Sequence, residues 1–598
     1  MTGLTPREIA ANQWHAQALK CHQTGDFPKA ETLYRLALKE QPEHIDSLHM
    51  LGVLHAQTGR SIDAVELISR VLQHTPEDTT ALTNLANTLN LLHRHEEALP
   101  CLDRLTSLNP GNVEAHVSRA DALRGLGRHE ASLAAADTAL RLDPSHLRGR
   151  IARSNALRRL NRFDEALAGL EAVLTIRPDY PEAENDRGNV LFDLRRFDEA
   201  LSCFDHALAL RPRYADACFN RANTLRAMHR FEEALEAYDE LIEAGNASAE
   251  ALNNRGATLE MLGRYQDAGS SYAAAQRADP GHVMAHLNDA LCALLQGDLA
   301  RGWPLYRWRK HAPEAHMAGR KHDSPEWDGQ TALSGKRILL LSEQGLGDSI
   351  QFCRFALPLA RQGAEVILEA WPSLASLMSR VEGVSQIIPH GEPLPSADFH
   401  VWLLDLPGLL GIHLDNIPAQ LPYIHVNHTL ARTFSKRLTE TQAEHRPRVG
   451  LVWSGNAKHS NDHKRSLALE KLSPLLSMNA DFVSLQPELR ERDLPFFADS
   501  RIIDLRDALP DFEATAAAIS ALDLVISVDT SVAHLAAALD KPVWLMLPAK
   551  PDWRWLLARD DSPWYPDMRL FRQPRHDDWD SVVSSLCAAL AEHTGAQA

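Results

Sequence analysis

Cysteine is scarce in this chain of 598 residues: Cys21, Cys101, Cys203, Cys218, Cys292, Cys353 and Cys587 are scattered and odd in number. No two form a CxxC pair, so neither a structural zinc site nor a disulfide framework has support, and a reducing compartment is expected. Long apolar runs are absent too; none approaches the roughly 18 residues a membrane-spanning helix needs. The N-terminal MTGLTPREIAANQWHAQAL lacks a basic segment followed by an apolar core, so no signal peptide is expected and the expected location is cytoplasmic. Positive charge is in deficit: 62 Lys and Arg against 79 Asp and Glu give a net charge of −17. Binding nucleic acid through the bulk surface needs the opposite balance, although a local basic pocket for one phosphate group is compatible with it. With 44% hydrophobic and 24% charged residues the composition is that of a soluble globular protein. The length exceeds the roughly 250–300 residues at which single cores divide.

What the chain has in abundance is a period. Short links fall at Gly25, Gly59, His93, Gly127, Asn161, Arg195, His229, Gly263 and Gly297, every step being 34 residues. Five residues past the link stands Ala30, Ala64, Ala98, Ala166, Ala200, Ala234 or Ala268, with Ser132 and Gly302 as the exceptions. Seventeen past it stands Pro42, Pro76, Pro110, Pro144, Pro178, Pro212 or Pro280. Proline is 33 of 598 residues, so nine random positions would hold roughly 0.5 of them, not seven. The unit reads as two helices joined by a turn. Apolar residues recur at helical spacing (Ala166, Leu167, Leu170, Val173), and the proline ends the second helix for want of an amide donor. Small residues at Gly52, Ala86, Ala120, Gly188, Ala222, Gly256 and Ala290 let the first helix approach the second.

These residues resemble tetratricopeptide repeats, about nine units over residues 1–314, with Asn246 in place of one proline. The resemblance implies an α-solenoid, a superhelix whose first helices line a concave face. Two polar columns share one face of those helices: Asn84, Asp186, Asn220, Asn254 and Asn288, and three residues on, Asn87, Asp121, Asn155, Asn189 and Asn223. Amide side chains can hydrogen-bond an extended peptide without reading its sequence, so Asn84, Asn87, Asn155, Asn189, Asn220, Asn223, Asn254 and Asn288 are candidate acceptor-binding residues. The array resembles the asparagine ladder of O-linked N-acetylglucosamine transferases. The alternative is a face that is solvated or bonds helix to helix.

After Gly302 the pattern breaks. Residues 315–335 read as a linker, with Trp303, Trp308 and Trp327 expected to pack. From 336 onward short apolar runs alternate with helical stretches. Strands are expected at Arg337–Leu341, Glu365–Glu369, Phe399–Leu404, Val449–Trp453, Asp481–Leu485, Arg501–Asp504, Leu524–Val528 and Pro542–Leu547. Helices are expected at about 348–361, 372–381, 429–440, 513–521, 531–539 and 578–592. Such alternation argues for parallel, doubly wound sheets in two lobes, 336–445 and 446–598, with ligands beyond the carboxyl ends of strands.

Three motifs follow strands. In ILLLSEQGLGDSIQF, glycines permit a tight turn and Asp348 begins a helix, either capping it or facing the cleft as a general base. In VGLVWSGNAKHSNDHKRSL, a strand opens into Ser454 and Gly455, and the loop then carries Lys458, His459, His463, Lys464 and Arg465, cations suited to a diphosphate or to a solvated loop. In LDLVISVDTSVAHLAAALDKPVWLMLP, Asp529, Thr530 and Ser531 open a helix whose free amides suit a phosphate. Asp529 either caps that helix or accepts from a ribose, and His534 is either a ligand or a packed helix histidine. Trp553, Trp555, Trp564 and Tyr565 lie among arginines and read as packing before stacking.

Together these motifs resemble the heptosyltransferase family of glycosyltransferases (family 9), with a two-lobed Rossmann-like α/β domain of the GT-B type. That resemblance implies a catalytic base at Asp348, a nucleotide-sugar loop at 529–534 with Ser531 where glycine is usual, and a phosphate-contacting lysine at Lys464. The expected function is transfer of a sugar from a nucleotide-sugar donor to an acceptor, a protein held by the repeats, inverting and without metal or other cofactor. The donor site is expected at Ser454, Gly455, Lys464, Arg465, Asp529, Thr530, Ser531 and His534. Asp578-Trp579-Asp580 has metal-ligand spacing but reads as a helix cap. The alternatives are a scaffold with an inactive transferase-like domain, or a transferase acting on a lipid or polysaccharide.

Overall fold

The computed structural model describes residues 5–312, 322–343, 345–440, 446–458 and 461–595. The chain divides into two compact units, one ending at Asn246 and the other beginning at Ala247.

The first unit is a succession of helix pairs. After the opening helix Pro6–Gln23 of 18 residues, the first helix of a pair has 13 residues, as in Pro181–Asp193, and the second 14, as in Phe197–Leu210. Each of the seven links here is left-handed, φ running from 56° at His93 to 80° at Gly59. Glycine suits that conformation, but His93, Asn161, Arg195 and His229 adopt it as well. The proline follows the capping residue of the second helix: Phe197–Leu210 is capped by Arg211 before Pro212. Where Asn246 replaces proline, helix Phe231–Glu243 stops at 13 residues and Gly245 turns the chain at φ 90°.

The small residues do what their spacing predicts. A Cβ at Gly52 would lie 2.7 Å from Ile68, and one at Gly188 would lie 2.6 Å from Phe204. Apolar clusters stay local: Leu157, Ala166, Leu170, Val190 and Phe204 join adjacent pairs. Stability of this unit is therefore a sum over neighbours, with no single core.

The second unit starts with helices Ala249–Met261, Tyr265–Ala278, Val283–Leu295 and Leu299–Tyr306, then a 3-10 turn, Arg307–His311. Their links, Gly263 and Gly297, are again left-handed. Leu294, Leu295, Leu299 and Trp303 belong to the same apolar cluster as Ile338, Phe352, Trp553 and Trp564, so the last repeats share a core with the α/β part.

The α/β part has two sheets, parallel at every strand pair. The first contains β1 (Arg337–Leu341), β2 (Glu365–Ala370), β3 (Val384–Pro389) and β4 (Phe399–Trp402) in the order β3-β2-β1-β4. The second contains β5 (Arg448–Val452), β6 (Asp481–Ser484), β7 (Ile503–Asp504), β8 (Leu524–Val528), β9 (Val543–Leu547) and β10 (Met568–Arg572) in the order β10-β9-β8-β5-β6-β7. That is the doubly wound order, and its direction reverses between β5 and β8.

Strands β3 and β10 were not expected from sequence. Both are sheet edges, where polar residues such as Ser385, Gln386, Arg569 and Arg572 interrupt the apolar run. The expected strand Phe399–Leu404 stops at Trp402, because Leu403–Asp405 turn into a 3-10 helix, and Arg501–Asp504 shortens to Ile503–Asp504. Asp578 accepts from Ser581 N at 3.2 Å and so begins the last helix.

Candidate functional site

In doubly wound sheets the crevice for a ligand lies beyond the strand ends at the point where strand order reverses. In the second sheet that point lies between β5, which runs into Ser454 and Gly455, and β8, which runs into Asp529, Thr530 and Ser531. Arg465 bridges them, its Nη1 donating to Asp529 O at 2.9 Å. In the first sheet the reversal lies between β1 and β4, and the loop after β1 carries Asp348.

Asp348 sits in the first turn of helix Leu346–Phe352 but does not cap it; no side chain bonds that helix start. Its Oδ1 instead accepts from Arg554 Nη2 at 2.5 Å. Gly345, at φ 131°, leaves room for this, since a Cβ there would run into the Asp348 carboxylate. Burial pushes the Asp348 carboxyl up to about 6; Arg554 opposes this, while Asp552, Glu343 and Asp529 add to it. Arg554 is buried, and it also donates to Gln351 Oε1 at 2.7 Å and to Asp552 Oδ1 at 2.8 Å.

The Asp348 loop and the Asp529 turn are neighbours. A Cβ at Gly347 would lie 3.1 Å from the His534 ring and 3.7 Å from Ser531 Cα. Thr530 is the N-cap of helix Ser531–Ala538, with no side chain capping it, so its first amides have no side-chain acceptor. Thr530 Oγ1 lies 3.1 Å from Ser527 Oγ. Burial, and next Asp552, raise the Asp529 carboxyl against Trp555, Arg465 and Arg554. His534 is buried, its Nδ1 lies 2.9 Å from Tyr565 OH, and its ring stacks on Trp555 at 5.3 Å. Burial, together with Arg554, Arg354 and Arg465, holds its pKa well below the usual histidine range, so the imidazole is neutral. Trp553, Trp555, Trp564 and Tyr565 are buried, as the packing reading has it.

The β5 loop is pinned by residues that sequence alone did not single out. Gln486 brackets Ser454, accepting from its N at 3.2 Å and donating to its O at 3.1 Å. Gly455 N donates to Ser466 Oγ at 2.9 Å, and a Cβ on Gly455 would lie 2.8 Å from the Arg465 guanidinium. Arg490 pairs with Asp462 and donates to Gly455 O at 3.3 Å. Lys464 is exposed on the four-residue helix Asp462–Arg465, and of the pair it is Arg465 that reaches the Asp529 turn. His459 lies outside the described residues. Among the described residues no cluster of three His, Cys, Asp or Glu is arranged to hold a metal ion. Arg554, Gln486 and Arg490 left no periodic or motif signal.

The amide columns are bonded partly from repeat to repeat and partly within a helix pair or a single helix. In the first unit Asn84 donates to His49 Nε2 (3.0 Å), Asn155 to Asp186 (2.8 Å) and Asn220 to Asn185 (2.9 Å). Asn87 accepts from Ser118 at 3.3 Å, and Asn223 accepts from Tyr238 OH. In the second unit Asn288 donates to Asn253 at 2.9 Å and Asn254 accepts from it at 3.3 Å. Helix-to-helix bonding is therefore part of what these columns do. Within the first unit a depression of about 270 Å³ is lined by Arg124, Asn155, Arg158, Asn189, Tyr214 and Asn220 among others.

The sequence matches the tetratricopeptide repeat family over residues 22–79, 84–147, 117–181 and 219–283, and a second model of that repeat over 179–247. It matches glycosyltransferase family 9 (heptosyltransferase) over residues 510–545, the stretch that contains the Asp529–His534 turn. The chain is a tetratricopeptide-repeat array fused to a glycosyltransferase-like domain. A curated relative, Protein FlbA of Caulobacter vibrioides, is 23% identical over 339 residues, which are 52% of this chain and 55% of that protein. The chain thus spans about half the length of the curated relative it matches. Among solved structures, a tetratricopeptide repeat protein from Parabacteroides merdae is 18% identical, with a TM-score of 0.39, over 43% of this chain and 98% of its own. MamA from Desulfovibrio magneticus RS-1 is also 18% identical, with a TM-score of 0.28, over 29% of this chain and 98% of its own. No described helix is long and apolar enough to cross a membrane.

Proposed function

We propose that this chain is an inverting, metal-independent glycosyltransferase that moves a sugar from a nucleotide-sugar donor to a protein held by its repeats. The observation that carries the reading is convergence: Asp348, a carboxylate with a raised pKa, directly follows Gly347, which packs against Ser531 at the start of helix Ser531–Ala538, and Arg465 donates to the carbonyl of Asp529 in the turn that leads into the same helix. The uncapped start of Ser531–Ala538 and the Arg465 cation would hold the donor diphosphate. Asp348 would take the proton from the acceptor hydroxyl as that oxygen bonds the anomeric carbon. The bond from that carbon to the phosphate oxygen breaks, and the nucleoside diphosphate leaves with its charge met by those amides and cations. Ser454, Gly455, Lys464, Asp529, Thr530 and His534 complete the proposed donor site. The proposed acceptor-binding residues are, in the first unit, those of the amide-lined depression with Asn84, Asn87 and Asn223 of the same columns, and, taken by themselves in the second unit, Asn254 and Asn288. Tethering an acceptor to the enzyme raises its local concentration.

The test is a thermal-shift screen of UDP-, GDP- and ADP-sugars on the full chain, followed by turnover of each that binds. Binding and turnover, with turnover lost in Asp348→Asn, are expected. No shift with any nucleotide sugar favours the scaffold alternative. Turnover onto lipid or polysaccharide and not onto protein favours the other.

A further inference from the structure

We propose that Arg309, contributed by the turn that ends the last repeat, is a positioning residue for the loop that carries Asp348. The inference rests on the reading of Asp348 as the base. Arg309 lies on the 3-10 turn Arg307–His311, directly after helix Leu299–Tyr306. It occupies the reversal point of the first sheet. Its Nε donates to Glu343 Oε2 at 2.8 Å and its Nη2 to Glu343 Oε1 at 2.5 Å, so the fork grips both oxygens. Its Nη1 donates to Asp405 Oδ1 at 2.8 Å. Glu343 follows β1 and Asp405 follows β4, the two strands between which the order reverses. All three side chains are buried. Lys310 also pairs with Asp405, and it reaches Glu326 at 2.7 Å.

Glu343 stands at the root of the Asp348 loop. It is further fixed by Leu404 N, which donates to its Oε1 at 3.3 Å, and by Trp371 Nε1, which donates to its carbonyl at 2.9 Å. The same repeat helix also contacts the turn that carries the partner of Asp348. Trp303 meets Trp553 edge-on at 5.3 Å, and Tyr306 meets it at 6.1 Å. Trp553 adjoins Arg554, the partner of Asp348. One helix end therefore braces both the base and the group that holds it.

A buried ion pair is a poor way to add stability, because desolvation consumes most of the Coulomb attraction. What a bidentate fork supplies is orientation. It also changes the charge that Asp348 feels. The groups facing Asp348 are Arg554 and Asp552 from the turn after β9, Glu343 from its own loop, Asp529 from the β8 turn, Tyr306 from the repeat helix, and neutral His534 behind Gly347. Glu343 acts on Asp348 as a like charge, and Arg309 neutralises it.

The experiment compares full-length Arg309→Gln, Arg309→Lys, Glu343→Gln and the Arg309→Gln/Glu343→Gln pair with wild type, using the UDP-, GDP- or ADP-sugar that wild type turns over. Arg309→Gln is expected to lower kcat by about tenfold to a hundredfold with donor KM unchanged, the pattern of a misplaced catalytic group. It should also move the acid limb of the pH–rate profile upward. Glu343→Gln should move that limb downward, the double variant should return it toward wild type, and Arg309→Lys, which keeps the charge but not the fork, should fall between. Circular dichroism checks folding; if Arg309→Gln does not fold, Arg309→Lys, which keeps the charge but not the fork, decides, and wild-type kcat in that variant overturns the proposal. An unmoved limb in both single variants, or a kcat loss that only tracks lost folded protein, overturns the proposal. Full turnover in Asp348→Asn would instead remove the base reading itself.

Discussion

The guanidinium of Arg554 reaches the carboxylate of Asp348 at 2.5 Å although 206 residues separate them in sequence. The pair joins a loop after β1 of the first sheet to a turn after β9 of the second, so it ties the two lobes together at the point where the proposed chemistry occurs.

That placement fixes the pH response. Asp348 must be ionised to take a proton, and its carboxyl is pushed up to about 6. Turnover should therefore rise through about pH 6, and Asp348→Asn should lower it by about 10²–10⁴ at neutral pH while nucleotide-sugar binding persists. The shift also has a stability sign. A folded-state pKa above the unfolded one means the folded chain holds the proton more tightly, so this carboxyl's favourable contribution is full below its unfolded value and is lost as pH rises through about 6. A pH–rate profile and unfolding midpoints across that window check both.

Arg554→Gln removes the cation that opposes the upward shift of Asp348. Its acid limb should move to higher pH and its kcat should fall by about tenfold or more. Asp552 and Gln351 also lose a partner, so some loss of thermal stability is expected alongside.

In the first unit, Asn155→Ala and Arg158→Ala should weaken binding of a protein acceptor by about fivefold each, as about 1 kcal/mol per lost hydrogen bond implies. Donor-induced thermal shifts should not change. Titration of acceptor against the full-length variants measures the first, and the nucleotide-sugar screen the second.

Gly188→Leu drives a side chain into Phe204, where even a Cβ would stand 2.6 Å away. Overpacking of this kind typically costs about 1–3 kcal/mol. Because repeats couple mainly to their neighbours, denaturant unfolding should show the loss in the first unit while donor turnover persists.

Truncation separates the compact units from the sequence period. Residues 247–598 keep Leu294, Leu295 and Leu299 in the core they share with the α/β part. That fragment should unfold cooperatively and turn over donor without acting on a protein acceptor. Residues 301–598 strip that cover and should aggregate, as light scattering would detect.

The repeat was legible because three independent requirements recur at one interval: a left-handed link, a small residue under the next helix and a helix stop. The fully buried, mainly apolar strands β8 and β9 were legible, whereas β3 and β10 were not, since Ser385, Gln386, Arg569 and Arg572 interrupt their apolar runs. Asp348 and Asp529 could be read because glycine turns and helix starts are local signals. Arg554 and the Arg309–Glu343 fork could not, since each depends on a partner that folding alone brings near. The asparagine columns were visible as a face, but their bonding to residues such as Asn185 and Asn253, one position off the column in the preceding repeat, depends on how neighbouring helices rotate against each other.

The left-handed links bear on how such a chain can change over time. Nine of them recur at one spacing, and non-glycine residues occupy four. An insertion or duplication of 34 residues restores every contact on both sides of the joint, whereas any other length puts the helices out of phase. The reach of the array can thus be lengthened by counting in whole units, and changes of that kind made before residue 247 leave the buried contacts around Asp348 as they are.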